Sequence, residues 1–282
     1  PAFSNARHGY SMSQQGSLVR FDKVTGERRS IQPIHPEGED LRFNWNAALN
    51  VDPRDSTTIY LGSQFVHRSR DGGLSWEIIS PDLTTDDPEK QRQDESGGLT
   101  LDATGAENHT TILSIAPSPL QEGLIWVSTD DGMVQLTQDG GESWVSVGEN
   151  IIGVPPATYS PHVEASKHDP AVAYVVFDDH RRGNWTPYVF RTDDFGASWI
   201  RVGGEGIVGF VHVIEEDPVE PNLLFLGTEF GLFVSLNGGG NWFPWRHGIP
   251  AAPVRALMVH PRDHDLVIGT HGRAAYVLDD IR

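Results

Sequence analysis

Apolar residues in this chain come in short runs broken by turns rich in Gly, Asp, Asn and Pro, and no run is long enough for a helix of ordinary length. Four kinds of run recur in a fixed order, here A to D. The A runs include Ala47-Ala48-Leu49-Asn50-Val51, Ile112-Leu113-Ser114-Ile115, His162-Val163-Glu164-Ala165 and Val211-His212-Val213-Ile214. The B runs include Thr58-Ile59-Tyr60-Leu61, Leu124-Ile125-Trp126-Val127, Val172 to Phe177 and Leu223-Leu224-Phe225-Leu226. The C runs include Phe65-Val66-His67, Met133 to Leu136, Tyr188-Val189-Phe190 and Leu232-Phe233-Val234, and each D run opens on a Trp: Trp76, Trp144, Trp199 or Trp242. Four short strands per unit of about 40 residues, with turn residues between them, predict the blade of a β-propeller.

Between C and D stands one octapeptide pattern, with Gly fifth and Trp last. It reads SRDGGLSW (Ser69–Trp76), TQDGGESW (Thr137–Trp144), TDDFGASW (Thr192–Trp199) and SLNGGGNW (Ser235–Trp242). The third residue, Asp71, Asp139, Asp194 or Asn237, is expected to fold back onto a backbone N–H two residues on. The fifth, Gly73, Gly141, Gly196 or Gly239, can take a positive φ without steric cost. The Trp supplies a large apolar face and one N–H that needs a partner. Each octapeptide therefore predicts a hairpin turn that pins a Trp between packed sheets.

A fifth unit, Val254 to Asp279, supplies A, B and C runs and stops before D. Near the start, Ser17–Phe21 and Glu27–Ile31 form a C–D hairpin, with Tyr10–Gln14 as a candidate B strand. The expectation is a single all-β propeller over residues 1–282, of five to six four-stranded blades. Two arrangements fit: a compact six-blade ring closed by its own termini, or, as the unmatched ends favour, a portion of a larger propeller whose further blades come from a longer parent chain or another subunit.

Composition narrows the function. There are 21 basic and 39 acidic residues, giving a net charge of −18, and no Cys. That charge opposes nucleic-acid binding and docking on anionic lipid. No apolar stretch reaches membrane-spanning length, so no membrane insertion is expected. The lack of Cys excludes disulfides, thiol nucleophiles and Cys-ligated metals. There is no His-Glu-x-x-His and no EF-hand loop. No metal site or cofactor is assigned; Asp130-Asp131 and Asp178-Asp179 could offer oxygen ligands to Ca²⁺.

The octapeptide resembles the Asp-box, or BNR repeat, of sialidases, sortilin-like Vps10 domains and xyloglucan-active glycosidases. Phe43-Asn44-Trp45-Asn46, Gly227 to Ser235, and Gly269-Thr270-His271-Gly272-Arg273 resemble a narrower group of large bacterial exported proteins, sortilin-like or glycosyl-hydrolase-like. The resemblance implies a propeller and a secreted or periplasmic location. It implies little about chemistry, because this scaffold serves hydrolysis and peptide capture alike. Sialidase chemistry implies three Arg residues and a Tyr–Glu pair; Arg255 and Arg273 are well placed, but no third Arg and no such pair stands out.

The chain reverses at every turn, so D–A connections and B–C turns share one face and the octapeptides take the other. The first face is expected to hold the site. It offers Asn44, Trp45, Asn46, His162, His212, Phe230, Arg255, His271 and Arg273 for ligand binding, glycan or peptide. His180 and Trp185 fall on or near the same face. For the alternative, a glycoside hydrolase, Glu229 or Asp130 would be the acid and Glu164 or Asp178 the base or nucleophile. The long segment 81–108 is a D–A connection expected on that face, as a lid, a partner contact or a disordered loop.

Overall fold

The computed structural model of the chain describes residues 7–92 and 108–281. Most of the long 81–108 segment, residues 93–107, lies outside the described residues. The chain is an all-β propeller of six antiparallel sheets; the described helical turns are three single turns of 3-10 helix. It divides into two compact units, Pro1–Val145 and Ser146–Arg282.

In the first unit, sheet one holds β1 (His8–Met12), β2 (Leu18–Asp22) and β3 (Arg28–Ser30). Sheet two holds β4 (Leu49–Val51), β5 (Ile59–Gly62), β6 (Val66–Ser69) and β7 (Glu77–Ile78). Sheet three holds β8 (Ile112–Pro117), β9 (Ile125–Thr129), β10 (Val134–Thr137) and β11 (Val145–Ser146), which reaches the division. In the second unit, sheet four holds β12 (Tyr159–Ala165), β13 (Ala173–Asp178), β14 (Tyr188–Thr192) and β15 (Ile200–Arg201). Sheet five holds β16 (Val211–Glu216), β17 (Leu224–Thr228), β18 (Gly231–Ser235) and β19 (Phe243–Trp245). Sheet six holds β20 (Val254–Val259), β21 (Leu266–Thr270) and β22 (Ala275–Leu278).

Strands run A to D across each four-stranded sheet. The B strands β5, β9, β13 and β17 are buried along their whole length. That is why they read as unbroken apolar runs: both faces are covered. In β5, Ile59 and Leu61 pack with Leu18 of sheet one, while Tyr60 packs with Ile115 and Val127 of sheet three. In the second unit one core cluster joins sheets four and five, and another joins sheets five and six. The D strands are only two or three residues long and largely exposed.

The octapeptides lie between C and D strands, and each D strand starts one residue after the Trp rather than on it. The acceptor geometry also differs from expectation. Asp71 Oδ1 accepts from the N–H of Leu74 and Ser75, three and four residues on, both at 2.9 Å. Ser69 Oγ accepts the Gly73 N–H at 2.7 Å and donates to Asp71. The longer span follows from this hydroxyl, which takes the nearer N–H and leaves the carboxylate for the later ones. Asp139 and Asp194 repeat the pattern with Ser143 and Ser198. These donors hold the Asp71 carboxyl down at about 2.

Each Trp indole then reaches one sheet back. Trp76 Nε1 donates to Ile31 O, Trp144 to Ile79 O, Trp199 to Val147 O and Trp242 to Val202 O, at 2.7–3.1 Å. The octapeptide Gly lies against the same residue. A Cβ on Gly73, Gly141, Gly196 or Gly239 would meet Ile31, Ile79, Val147 or Val202 within 2.9 Å. One residue per junction thus receives both the indole N–H and the bare glycine face. Trp144→Phe keeps the ring and removes the donor, leaving Ile79 O unpaired. It is expected to cost about 1–2 kcal/mol in urea unfolding; a loss below about 0.3 kcal/mol would mean the bond does not help hold the sheets together.

Candidate functional site

At the B–C end of sheets three, five and six, the first residue of the B–C turn is held in one way. The N–H of Asp130, Glu229 and His271 donates to the carbonyl of Thr111, Phe210 and Pro253, the residue just before strand A of the same sheet. These three side chains occupy equivalent positions in different surroundings. Asp130 is buried. It accepts from the Thr111 N–H (2.8 Å) and hydroxyl (2.7 Å) and from Asn44 Nδ2 (3.1 Å). Burial pushes its carboxyl above the usual range. It is a structural anchor in the first unit and does not open on solvent. Asn44 is turned inward onto it and also accepts the Asn46 N–H; Trp45 and Asn46 are exposed. His271 and Arg273 are exposed at the turn of sheet six.

Glu229 differs. Its carboxylate is part-exposed, and Oε2 accepts from His212 Nε2 at 2.9 Å, with Arg255 Nη2 at 3.6 Å. Both partners come from β-bulges. Along β16–β17, Val211 pairs with Thr228 and Val213 with Gly227, so His212 is the extra residue. Along β20–β21, Val254 pairs with Thr270 and Ala256 with Gly269, so Arg255 is the extra residue. A bulge re-aims a side chain that regular pairing would fix, and here it sets two donors on one carboxylate. Burial, helped by the Arg255 charge, pushes the His212 imidazole down to about 3. It is therefore a neutral Nε2–H donor.

Beside Glu229 rises an aromatic ledge. The Trp185 and Phe230 rings are half-exposed, parallel to within 14°, with centroids 6.2 Å apart. Buried Phe210 backs Trp185: it meets that ring at 5.3 Å, stacks on His180 at 4.3 Å and meets His212 edge-on at 5.0 Å. Gly209 makes room, since a Cβ there would lie 2.6 Å from the Phe230 ring. His180 Nδ1 donates to Asp178 Oδ1 at 2.7 Å, and Arg181 lies over the Tyr159 ring at 4.2 Å. The ledge thus joins two stacking surfaces, one accessible carboxylate and a guanidinium that is half-exposed.

The structure corrects the other nominated residues. Glu164 does not lie at this end. It ion-pairs with Lys167 in the A–B connection, on the octapeptide side, and His162 Nε2 is 3.5 Å from it. It sits near the C-terminal end of strand A, so the strand carries it away from the B–C turn. Asp178 is buried and committed to His180. The two acidic pairs that could offer oxygen ligands to Ca²⁺ all have protein partners. Asp130 and Asp178 are taken as described, Asp131 by Thr85 and Thr129, and Asp179 by Arg182 and Asn184. Among the described residues no group of three or more His, Asp or Glu side chains is disposed to hold a metal ion. The described start of the long connection is packed: Asp82 binds Arg42 (2.5 Å), Leu83 is buried, and Leu83 O accepts from Gln135.

Sequence reasoning overlooked Phe210, whose place before strand A reads as ordinary core. Its only signal was the adjoining Gly209.

No protein-family model and no curated protein matches the chain. Solved structures do. The chain is similar to the GH74 xyloglucanase from Xanthomonas campestris, at 19% identity and a TM-score of 0.63, over 97% of this chain and 43% of that one. It is similar to the Niastella koreensis GH74 enzyme at 16% and 0.61, over 100% and 42%. It is also similar to the extracellular domain of a proposed one-component system from B. thetaiotaomicron at 12% and 0.62, over 96% and 31%. The chain spans less than half the length of each. The likeness is one of fold, to glycoside-hydrolase propellers and to a bacterial extracellular domain. No helix among the described residues is long and apolar enough to cross a membrane.

Proposed function

We propose that this is an exported propeller of the Asp-box type that binds a glycan on the Trp185–Phe230 ledge. One observation carries the reading: two half-exposed, near-parallel rings beside a carboxylate that His212 and Arg255 hold in place. Sugar faces stack on aromatic rings, and hydroxyls donate to a fixed carboxylate.

Hydrolysis is the second reading, supported by the likeness to GH74 propellers. It needs two carboxyl groups about 5–5.5 Å or about 6.5–9.5 Å apart. Of the four nominated carboxyls only Glu229 opens on the ledge, so binding is favoured.

The test is a glycan screen by affinity electrophoresis, with reducing-end release followed in parallel. Trp185→Ala and Phe230→Ala are each expected to weaken retention about tenfold, the scale of one lost stacking contact. Glu229→Gln should weaken it with no reducing ends released by either protein. Retention unchanged in both aromatic variants would discard the ledge as the site. Reducing ends released by wild type and lost in Glu229→Gln would favour hydrolysis. Retention of peptides but no glycan would move the site to peptide capture.

A further inference from the structure

A cleft lies at the octapeptide side of the first unit, and what is argued from it does not depend on the reading of the ledge. Three C strands carry an Arg at one position: Arg20 on β2, Arg68 on β6 and Arg191 on β14. Two of them are neutralised locally. Arg68 Nη1 donates to Gly140 O (3.0 Å) in the next octapeptide, and its Nε meets Glu77, its cross-strand neighbour, at 2.6 Å. Arg191 pairs with Asp193 at 2.8 Å. Arg20 reaches for Gly72 O in the same way, at 3.5 Å, but its cross-strand neighbour is Arg29. Among the described residues neither Arg20 nor Arg29 makes an ion pair. Like charges directly opposite on a sheet are unfavourable. In a chain with 39 acidic residues, a shortage of carboxylates does not explain the missing partner.

The space beside this pair is open. A cleft of about 170 Å³ lies between sheets one and two, lined by Tyr10, Arg20, Thr57 and Arg70 among others. It meets at Arg20 a second lobe of about 190 Å³ that reaches Arg29. The carboxylates at the rim are engaged or set apart. Asp71 serves its own octapeptide and Asp22 pairs with Arg7 at 2.6 Å; Glu27 lines only the second lobe. Above Gly72 two donors converge: Arg20 Nη1 and Tyr10 Oη lie 3.0 and 3.2 Å from the point a Cβ would occupy. Glycine leaves that point free. Each lobe is well below the roughly 300–1,000 Å³ of a drug-sized pocket, so it suits a single group.

We infer that the Arg20–Arg29 cleft binds a tetrahedral oxyanion, sulfate or phosphate, either free or carried as an ester on a larger molecule. Guanidinium groups hold such oxyanions by paired N–H donors, and the Tyr10 and Thr57 hydroxyls can complete the shell.

The decisive variant is Arg29→Glu. It places across from Arg20 the residue type that neutralises Arg68 in the neighbouring sheet, so it should fold at least as well as wild type. Melting temperature is measured against sodium sulfate and sodium phosphate, with ionic strength held constant by chloride. General exclusion of these salts stabilises both proteins equally; a bound anion stabilises only the protein that binds it. The expected result is a concentration-dependent rise in wild type that exceeds the rise in Arg29→Glu, with apparent affinity about tenfold or more weaker in the variant, as for loss of one charge-assisted contact. Calorimetry with dextran sulfate against neutral dextran separates the sources. Tighter uptake of dextran sulfate than of sulfate ion assigns the site to an ester on a polymer. Equal uptake assigns it to the free anion. The chain's net charge of −18 opposes non-specific uptake of a polyanion. Equal stabilisation of both proteins by sulfate and phosphate overturns the inference.

Discussion

Gly141→Ala is expected to destabilise the chain by at least about 3 kcal/mol, far more than the same change at Gly153. Both glycines have positive φ, +104° and +94°, so both replacements carry the backbone cost, about 1 kcal/mol or more. Only Gly141 also faces a neighbour. Its Cβ would lie 2.3 Å from Ile79 O and 2.8 Å from Ile79 Cβ, whereas at Gly153 nothing lies within 4 Å. Ile79 O is the atom that accepts the Trp144 indole N–H, so the new methyl would push apart the contact that joins sheets two and three. Gly73→Ala should fall between the two, because its nearest atom is the flexible Cδ1 of Ile31. Urea unfolding of the three variants gives the order directly. Equal losses at Gly141 and Gly153 would mean that the glycine is kept for its backbone angle alone and that close approach of the sheets is irrelevant.

That geometry explains why so much of the fold was legible in sequence. The octapeptide is a local device: Ser69, Asp71, Gly73 and Ser75 bond to one another within eight residues, while the Trp indole and the bare glycine face reach outward to the preceding sheet. Spacing alone therefore reveals four of the corners, and the buried B strands between them mark the sheets. The site was less legible for three physical reasons. A seven-residue strand such as β12 carries its two ends about 20 Å apart. Assigning Glu164 to a face by its strand alone put it at the wrong end, beside Lys167. Bulges are invisible to a period-two reading, since one extra residue at His212 or Arg255 changes the register without changing the apolar pattern. Lastly, Asp130 and Glu229 occupy the same turn position, and only distant partners separate their roles. Asn44 and Thr111 enclose the first, while Trp185 and Phe230 leave the second open.

Acidification from pH 6.5 to 4 is expected to weaken the fold, and two buried histidines account for much of the loss. His67 sits among Phe43, Phe65 and Trp76 and bonds Ser63 Oγ through Nε2 at 2.8 Å. Burial pushes it down to about 4, with a smaller push from His35; His212 is pushed down to about 3. In the unfolded chain both regain an ordinary value near 6.5. Between pH 6.5 and 4 the unfolded chain therefore binds protons that the native state refuses, and stability falls as pH falls. Glu215 acts in the opposite sense. Burial and Glu164 raise it to about 8, so its contribution is present below its ordinary value and fades as pH rises toward 8. The His67 share is isolated by His67→Gln, which keeps a neutral polar group and cannot take up the proton. Between pH 6.5 and 4, wild type should lose on the order of 2–3 kcal/mol more than this variant, read from urea midpoints at each pH. Parallel pH profiles for the two proteins would show that His67 protonates freely in the folded state, and with it that the ring-lined core of sheet two is open to water.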